Sequence, residues 1–306
     1  MDQGIGLWGV PLAMLGGMIR VSTPYLFVSL GETITEKSGR VNLGLEGTLV
    51  LGAVSAYGVS YLSGNPWLGV VCAGLCGVVL GALHAWLCGR PRVNHVAVGI
   101  AIMLFGTGLA FYLGKPLIQP EAPQLPALDF GAFSASSAVR EALRVNPLFL
   151  LGVALAPTLG WLLQNTRWGL VLRMAGESAD AARALGYSVE RVRLLATMAG
   201  GFLSGIGGSF LSLYYPGIWN EGLSSGQGLI AVALVIFARW NPVRCLYASL
   251  IYGAAGSLGS ALQSAGVQVS PHLLGTTPAV LTLIIMIATC SPDRALDGTP
   301  RELSMG

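Results

Sequence analysis

Five polar side chains stand at or just before the starts of apolar runs: Asn42, Glu46, Asn220, Glu221 and Gln227. A carboxylate or amide near membrane depth is costly unless it is paired or used, so such residues are binding candidates by default. Helix starts at the same places would aim free N–H groups at a bound polar solute. Two blander roles stay open. Glu46 and Glu221 could cap helices at the membrane surface, and Glu46 could pair with nearby Lys37 or Arg40. Ser224, Ser225 and Gln227 precede an apolar run too short to span, which favours a half-helix entered from a loop.

The chain offers no catalytic set. His84 and His95 are the histidines near apolar runs, and neither forms H-E-x-x-H. There is no phosphate-binding G-x-x-x-x-G-K-[ST]; the Gly114-Lys115 pair precedes a proline. The five cysteines (Cys72, Cys76, Cys88, Cys245, Cys290) all lie in apolar runs, as small packing residues do, and no metal site is expected.

Elements that could hold these residues follow from composition. The 306 residues are 53% hydrophobic and 10% charged, with 43 glycines, whereas a soluble domain carries about 25% charge. So few charges cannot cover a water-soluble fold. The expected fold class is an all-α integral membrane protein with about 8–10 transmembrane helices and interrupted segments, because only helices and closed barrels satisfy the backbone in lipid. Runs near 10–33, 43–62, 67–88, 93–113, 147–165, 194–214, 226–238, 245–263 and 274–290 fit, the seventh being too short alone. The first residues lack the basic start of a cleavable signal, and a net charge of +3 is too small to suggest nucleic acid.

Thirteen of the seventeen Lys and Arg residues fall on one side of a nine-span arrangement with the N-terminus outside and the C-terminus inside. Lys115, Arg140 and Arg144 lie in the Pro-rich outer loop 114–146. Arg20 falls within the first run and needs an irregular helix or a polar partner. Residues 44–87 and 225–262 resemble each other: a Gly-rich polar start, an apolar helix, an Asn-Pro corner (Asn65-Pro66, Asn241-Pro242) and a Gly/Ala-rich span. The first corner is uncharged, and the second carries Arg239 and Arg244. Opposite sidedness of matched corners marks an inverted repeat, with halves near 23–113 and 194–290 in one transmembrane domain. Polar solutes bind at the interface of such repeats. Gly77/Gly81, Gly201/Gly205 and Gly253–Gly256–Gly259 suit close helix packing.

The inner loop 166–193 contains GESADAARALG, a short Ala-rich helix starting at Glu177 or Ser178 and stopped by Gly186. About nine residues are marginal as a helix in water, so it must dock on its own protein or a partner, or lie on lipid headgroups. ESADAARALGYSVERVRLLATMAGGFLSGIGGSF resembles the coupling loop and following helix of bacterial ABC importer permeases of the simple-sugar/nucleoside and branched-chain amino-acid class. GETITEKSGRVNLGLEGTLVLGA resembles the E-(R/K)-S-G-x-x-N-(I/L)-G-L-E-G stretch of its nucleoside-type members. The resemblance runs from Thr23 to Ala288. Ser178-Ala179 after Glu177 departs from the stricter Glu-Ala-Ala form of other importers.

The resemblance implies a multi-pass permease subunit of the bacterial inner membrane. It implies nucleoside import by alternating access, with simple sugars as the alternative cargo. The chain itself would be no enzyme and hold no cofactor. ATP and Mg would be bound by a partner ATPase, whose groove takes 177–186, with Glu177, Asp180, Ala181, Ala182, Arg183 and Gly186 as contacts. A second, related permease, an external solute-binding protein and membrane lipid complete the partners. A nucleoside needs amide or carboxylate partners and an aromatic surface. Asn42, Glu46, Asn94, Asn220 and Gln227 offer the former; Phe105, Phe210, Tyr214 and Trp219 are aromatic candidates, although membrane aromatics more often pack or anchor. An ion-coupled secondary transporter would instead need a deep carboxylate. Of Glu46, Glu32 and Glu221, none is expected deep within a span.

Overall fold

A computed structural model describes residues 6–90, 92–134, 136–265, 277, 280, 284 and 298–304. The helices in chain order are α1 (Gly6–Lys37), α2 (Leu45–Ser63), α3 (Pro66–Cys88), α4 (His95–Gly114), α5 (Ser137–Ala142), α6 (Pro147–Asn165), α7 (Arg167–Glu177), α8 (Ala179–Ala184), α9 (Val189–Leu213), α10 (Gln227–Phe237), α11 (Pro242–Ser264) and the turn α12 (Arg301–Ser304). A two-residue ribbon, β1 (Leu128–Asp129) with β2 (Arg144–Val145), is antiparallel. Among the described residues seven helices are long and apolar enough to cross a membrane, and α10, with 11 residues, is not. The expected ninth span near 274–290 lies outside the described residues.

Three helices start on the same local device. In α3, α6 and α11 proline occupies the first turn, where its missing N–H costs nothing. The preceding asparagine accepts a backbone N–H: Asn65 from Trp67 (3.0 Å), Asn146 from Leu148 (2.9 Å), Asn241 from Val243 (3.0 Å). The first corner lies at the same end as loop 114–146, because Ser60, one turn before it, donates to the Pro123 carbonyl. The Asn241 corner lies at the end where α1 stops: Lys37 donates to the Gly298 carbonyl, and Gly298 sits against the Arg239 backbone.

Packing joins the two halves crosswise. The most extensive contacts are α3 on α9 and α1 on α11, with α9 also seated on α2 and α1. Lipid is as apolar as leucine, so close van der Waals fit drives such pairing. At the α3–α9 crossing a methyl added to Gly77 would overlap the Gly201 carbonyl, and one added to Gly201 would overlap the Gly77 carbonyl. The far side of α3 shows Leu68, Val71, Leu75, Val79 and Trp86 at helical spacing, all exposed. That stripe faces the hydrocarbon.

α1 is longer than the 10–33 run. It continues to Lys37 through internal Pro11 and Pro24. Arg20 finds its partner across 121 residues: its guanidinium lies 2.8 Å from the Glu141 carboxylate on α5. Loop 114–146 is fastened to the bundle through proline carbonyls, which accept from Tyr57 (Pro120, 2.8 Å), Ser60 (Pro123, 2.7 Å) and Asn146 (Pro126, 3.2 Å).

Candidate functional site

Two helix starts meet at Glu46. Gly44 caps α2 without a side chain of its own, and Glu46 lies in the first turn, 8% exposed. Its Oε1 accepts from the Ser224 hydroxyl (2.6 Å) and the Gly226 amide (3.1 Å), and its Oε2 accepts from the Gly228 amide (2.6 Å). The carboxylate of one half therefore caps α10 of the other. Each helix start carries about half a positive charge, so one carboxylate balances the pair. Three charge-assisted bonds offset the cost of taking it out of water. The backbone approaches closely here: Gly226 has φ +82°, and a methyl on Gly228 would come 2.7 Å from the Glu46 Cα.

Asn42 supports the joint from below. Its Oδ1 accepts from the Gly44 amide (3.0 Å) and its own amide donates to Glu32 Oε1 (2.7 Å). Gln227 opens α10, and its buried Oε1 has no partner among the described residues.

The ion-pair role for Glu46 is corrected. Lys37 turns to the Gly298 carbonyl, while Arg40 donates to the Ala85 carbonyl (2.8 Å) and to Glu190 (2.7 Å). Burial pulls the Arg40 guanidinium below its ordinary pKa, and the Glu190 carboxylate opposes that shift.

Glu32 is completely buried within the protein, and Glu36 one turn later is nearly so. The cause is the extra turn of α1, wrapped by loop 38–44 and by α10. Glu36 accepts from the Trp240 indole, and Glu32 Oε2 is unpartnered among the described residues. The sequence did contain a signal, since positions 32 and 36 share one helix face.

Other candidates lie elsewhere. Asn94 is exposed and caps α4 by accepting from the Ala97 amide (3.0 Å). Phe105 is 55% exposed on α4. Asn220 closes its own turn, accepting from the Gly222 amide, and Glu221 is exposed. Phe210 is buried against Tyr214, with ring centroids 5.1 Å apart, and Trp219 is buried against Gly114. Burial raises the Tyr214 hydroxyl pKa against the opposing charges of Arg20 and Arg144. At the end of the bundle that carries loop 114–146, a cleft of about 340 Å³ is lined by Gly16, Arg20, Glu141, Tyr215 and Ser260. Among the described residues no group of three His, Cys, Asp or Glu could hold a metal ion.

The inner loop 166–193 holds two helices rather than one. The first, α7, is amphipathic, with Trp168 and Leu170 exposed, a pattern that suits the membrane interface. The second, α8, starts where Ser178 accepts from the Ala181 amide (3.2 Å), and it stops before Gly186 at φ +85°. Ala179 and Ala182 are buried with Ala175 and Val189. Asp180, Ala181, Arg183, Ala184, Leu185 and Tyr187 face outward. Arg183 pairs with Asp180 (2.9 Å). Glu177 ends α7 with Arg301 beside it (3.9 Å).

Comparison with known proteins agrees with this architecture. A permease of Haloferax volcanii described as a putative glucose ABC transporter permease is 34% identical over 279 residues, covering 89% of this chain and 85% of its own length. The nucleoside ABC transporter permease NupC of Lactococcus lactis is 29% identical, covering 89% and 90%. The guanosine ABC transporter permease NupQ of Bacillus subtilis is 29% identical, covering 78% of each chain. The profile of the family described as "branched-chain amino acid transport system / permease component" matches residues 14–290. An all-α membrane bundle with this match belongs to that permease family.

Proposed function

We propose that the chain is the permease subunit of an ATP-driven nucleoside importer in the bacterial inner membrane, with its C-terminus inside. It pairs with a second, related permease. An ATPase, which alone binds ATP and Mg, grips α8, and an external solute-binding protein delivers cargo. The observation that carries this reading is the Glu46 joint. It is a polar, balanced contact between two helix starts from opposite halves, placed where rocking of the halves would open or close it. States differing by a few kcal/mol can be switched by a partner's binding energy, and charge-assisted bonds of about 1.5–3 kcal/mol each suit that range. Asn42, Glu46 and Gln227 are the polar groups offered to a solute as the joint opens. Simple-sugar import is the second reading, favoured by the relative named as a putative glucose permease.

Reconstitution with the co-purifying ATPase and binding protein, followed by uptake of labelled nucleoside under competition from nucleosides and sugars, separates the two. Gly186→Leu forces a side chain into a left-handed position facing open space. It is expected to cost about 1 kcal/mol of stability and to abolish ATP-driven uptake. Unchanged uptake would remove α8 from the coupling role.

A further inference from the structure

Residues 298–304 lie across the inner end of the bundle, and one side chain there ties several elements together. Glu302 Oε1 accepts from the Ala179 amide, the first N–H of α8 (2.8 Å). Its Oε2 lies 3.2 Å from the Arg193 guanidinium at the start of α9. Arg193 is almost fully buried and also donates to the carbonyls of Ser38 (3.0 Å) and Ala175 (3.2 Å). Ser38 begins the loop after α1, and Ala175 is near the end of α7. The backbone of that loop touches α7 directly, since a methyl on Gly176 would overlap the Lys37 carbonyl. Glu302 is 24% exposed and Arg193 9%, so the pair is only partly screened by water.

From this block the chain itself continues inward, pinned by hydrogen bonds at Asn42 and Glu46. Loop 38–44 delivers Asn42, which holds the Gly44 amide at the start of α2, and two residues later Glu46 caps α10. α8 itself has six residues and little hold on the body beyond Ala179 and Ala182. A short helix so lightly seated transmits force only if its end is fixed to what must move.

We propose that Glu302 is a positioning residue. By fixing the first N–H of α8 to Arg193 and through it to loop 38–44, it makes a displacement of α8 carry the loop that leads to the Glu46 joint. This inference rests on the importer reading above. Spatial continuity alone does not establish coupling, so the test must read coupling itself.

The complex of permease, ATPase and binding protein is reconstituted in vesicles, and solute uptake is divided by ATP hydrolysed. Glu302→Ala is expected to assemble, hydrolyse ATP and lose uptake per ATP by about tenfold, within the usual span of allosteric couplings. Glu302→Gln keeps an acceptor for the Ala179 amide but gives up the charge facing Arg193, and is expected to lose about threefold. A merely structural role would lower uptake and hydrolysis together and leave their ratio unchanged. A wild-type ratio in both variants overturns the strap. If the alanine variant does not assemble, the near-isosteric glutamine variant decides alone. A wild-type complex without ATP-driven uptake overturns the importer reading, and this inference with it.

Discussion

The seam between α3 and α9 and the joint between α2 and α10 both join the two halves of the chain, by opposite means. At the seam, backbone lies on backbone: Gly77 faces Gly201 and Gly205 faces Ala73, with no room for another carbon. At the joint, one carboxylate reaches three donors across two helix starts. Dispersion at close range is lost steeply with separation, so the seam resists any opening. A charged contact can be exchanged for water or a polar solute at small net cost. On the importer reading, glycine holds the α3–α9 seam as one body, and polarity holds the α2–α10 joint where the chain parts.

That contrast can be broken at either place. Gly201→Leu drives a side chain into the Gly77 carbonyl and is expected to cost on the order of 3 kcal/mol or more. It should leave little monodisperse protein by size exclusion in detergent, with thermal unfolding shifted sharply down in whatever survives. Glu46→Gln keeps one acceptor and removes the charge between the two helix starts. About 2 kcal/mol of stability should be lost, visible as a modest fall in melting temperature, while uptake falls more than tenfold. A glutamine variant with full uptake would make the joint a simple cap. The smallest effect sharpens the comparison at the two corners. Asn65→Ala and Asn241→Ala should each cost about 1 kcal/mol. Uptake should suffer more from Asn241→Ala, because that corner ends the short helix that Glu46 holds. Equal loss of uptake from both would show that α10 is no more mobile than α2.

Much of this was legible in the sequence because it depends on neighbours. Asn-Pro starts, the short α10 and the Ser178–Gly186 helix are each written within a dozen residues, although the third Asn-Pro start, at Asn146, was passed over. Glu46 and Gln227 stood out by chemistry alone, but their meeting did not: Ser224 lies 178 residues from Glu46, and nothing local favours it over Lys37 or Arg40. A separation of 121 residues hides Arg20–Glu141 in the same way. α7 is not legible as a helix because its apolar and basic residues alternate too quickly to resemble a span, although they sort onto two faces once wound. The burial of Glu32 is not legible because α1 does not stop where its apolar run stops.

The asparagine-capped helices carry a consequence for the order of synthesis. Asn65, Asn146 and Asn241 each complete a helix start with an atom only two residues ahead, so those starts can form as they leave the ribosome. α10 has no such cap of its own. Its acceptor was translated long before, and the nascent segment meets a carboxylate already waiting in the bilayer.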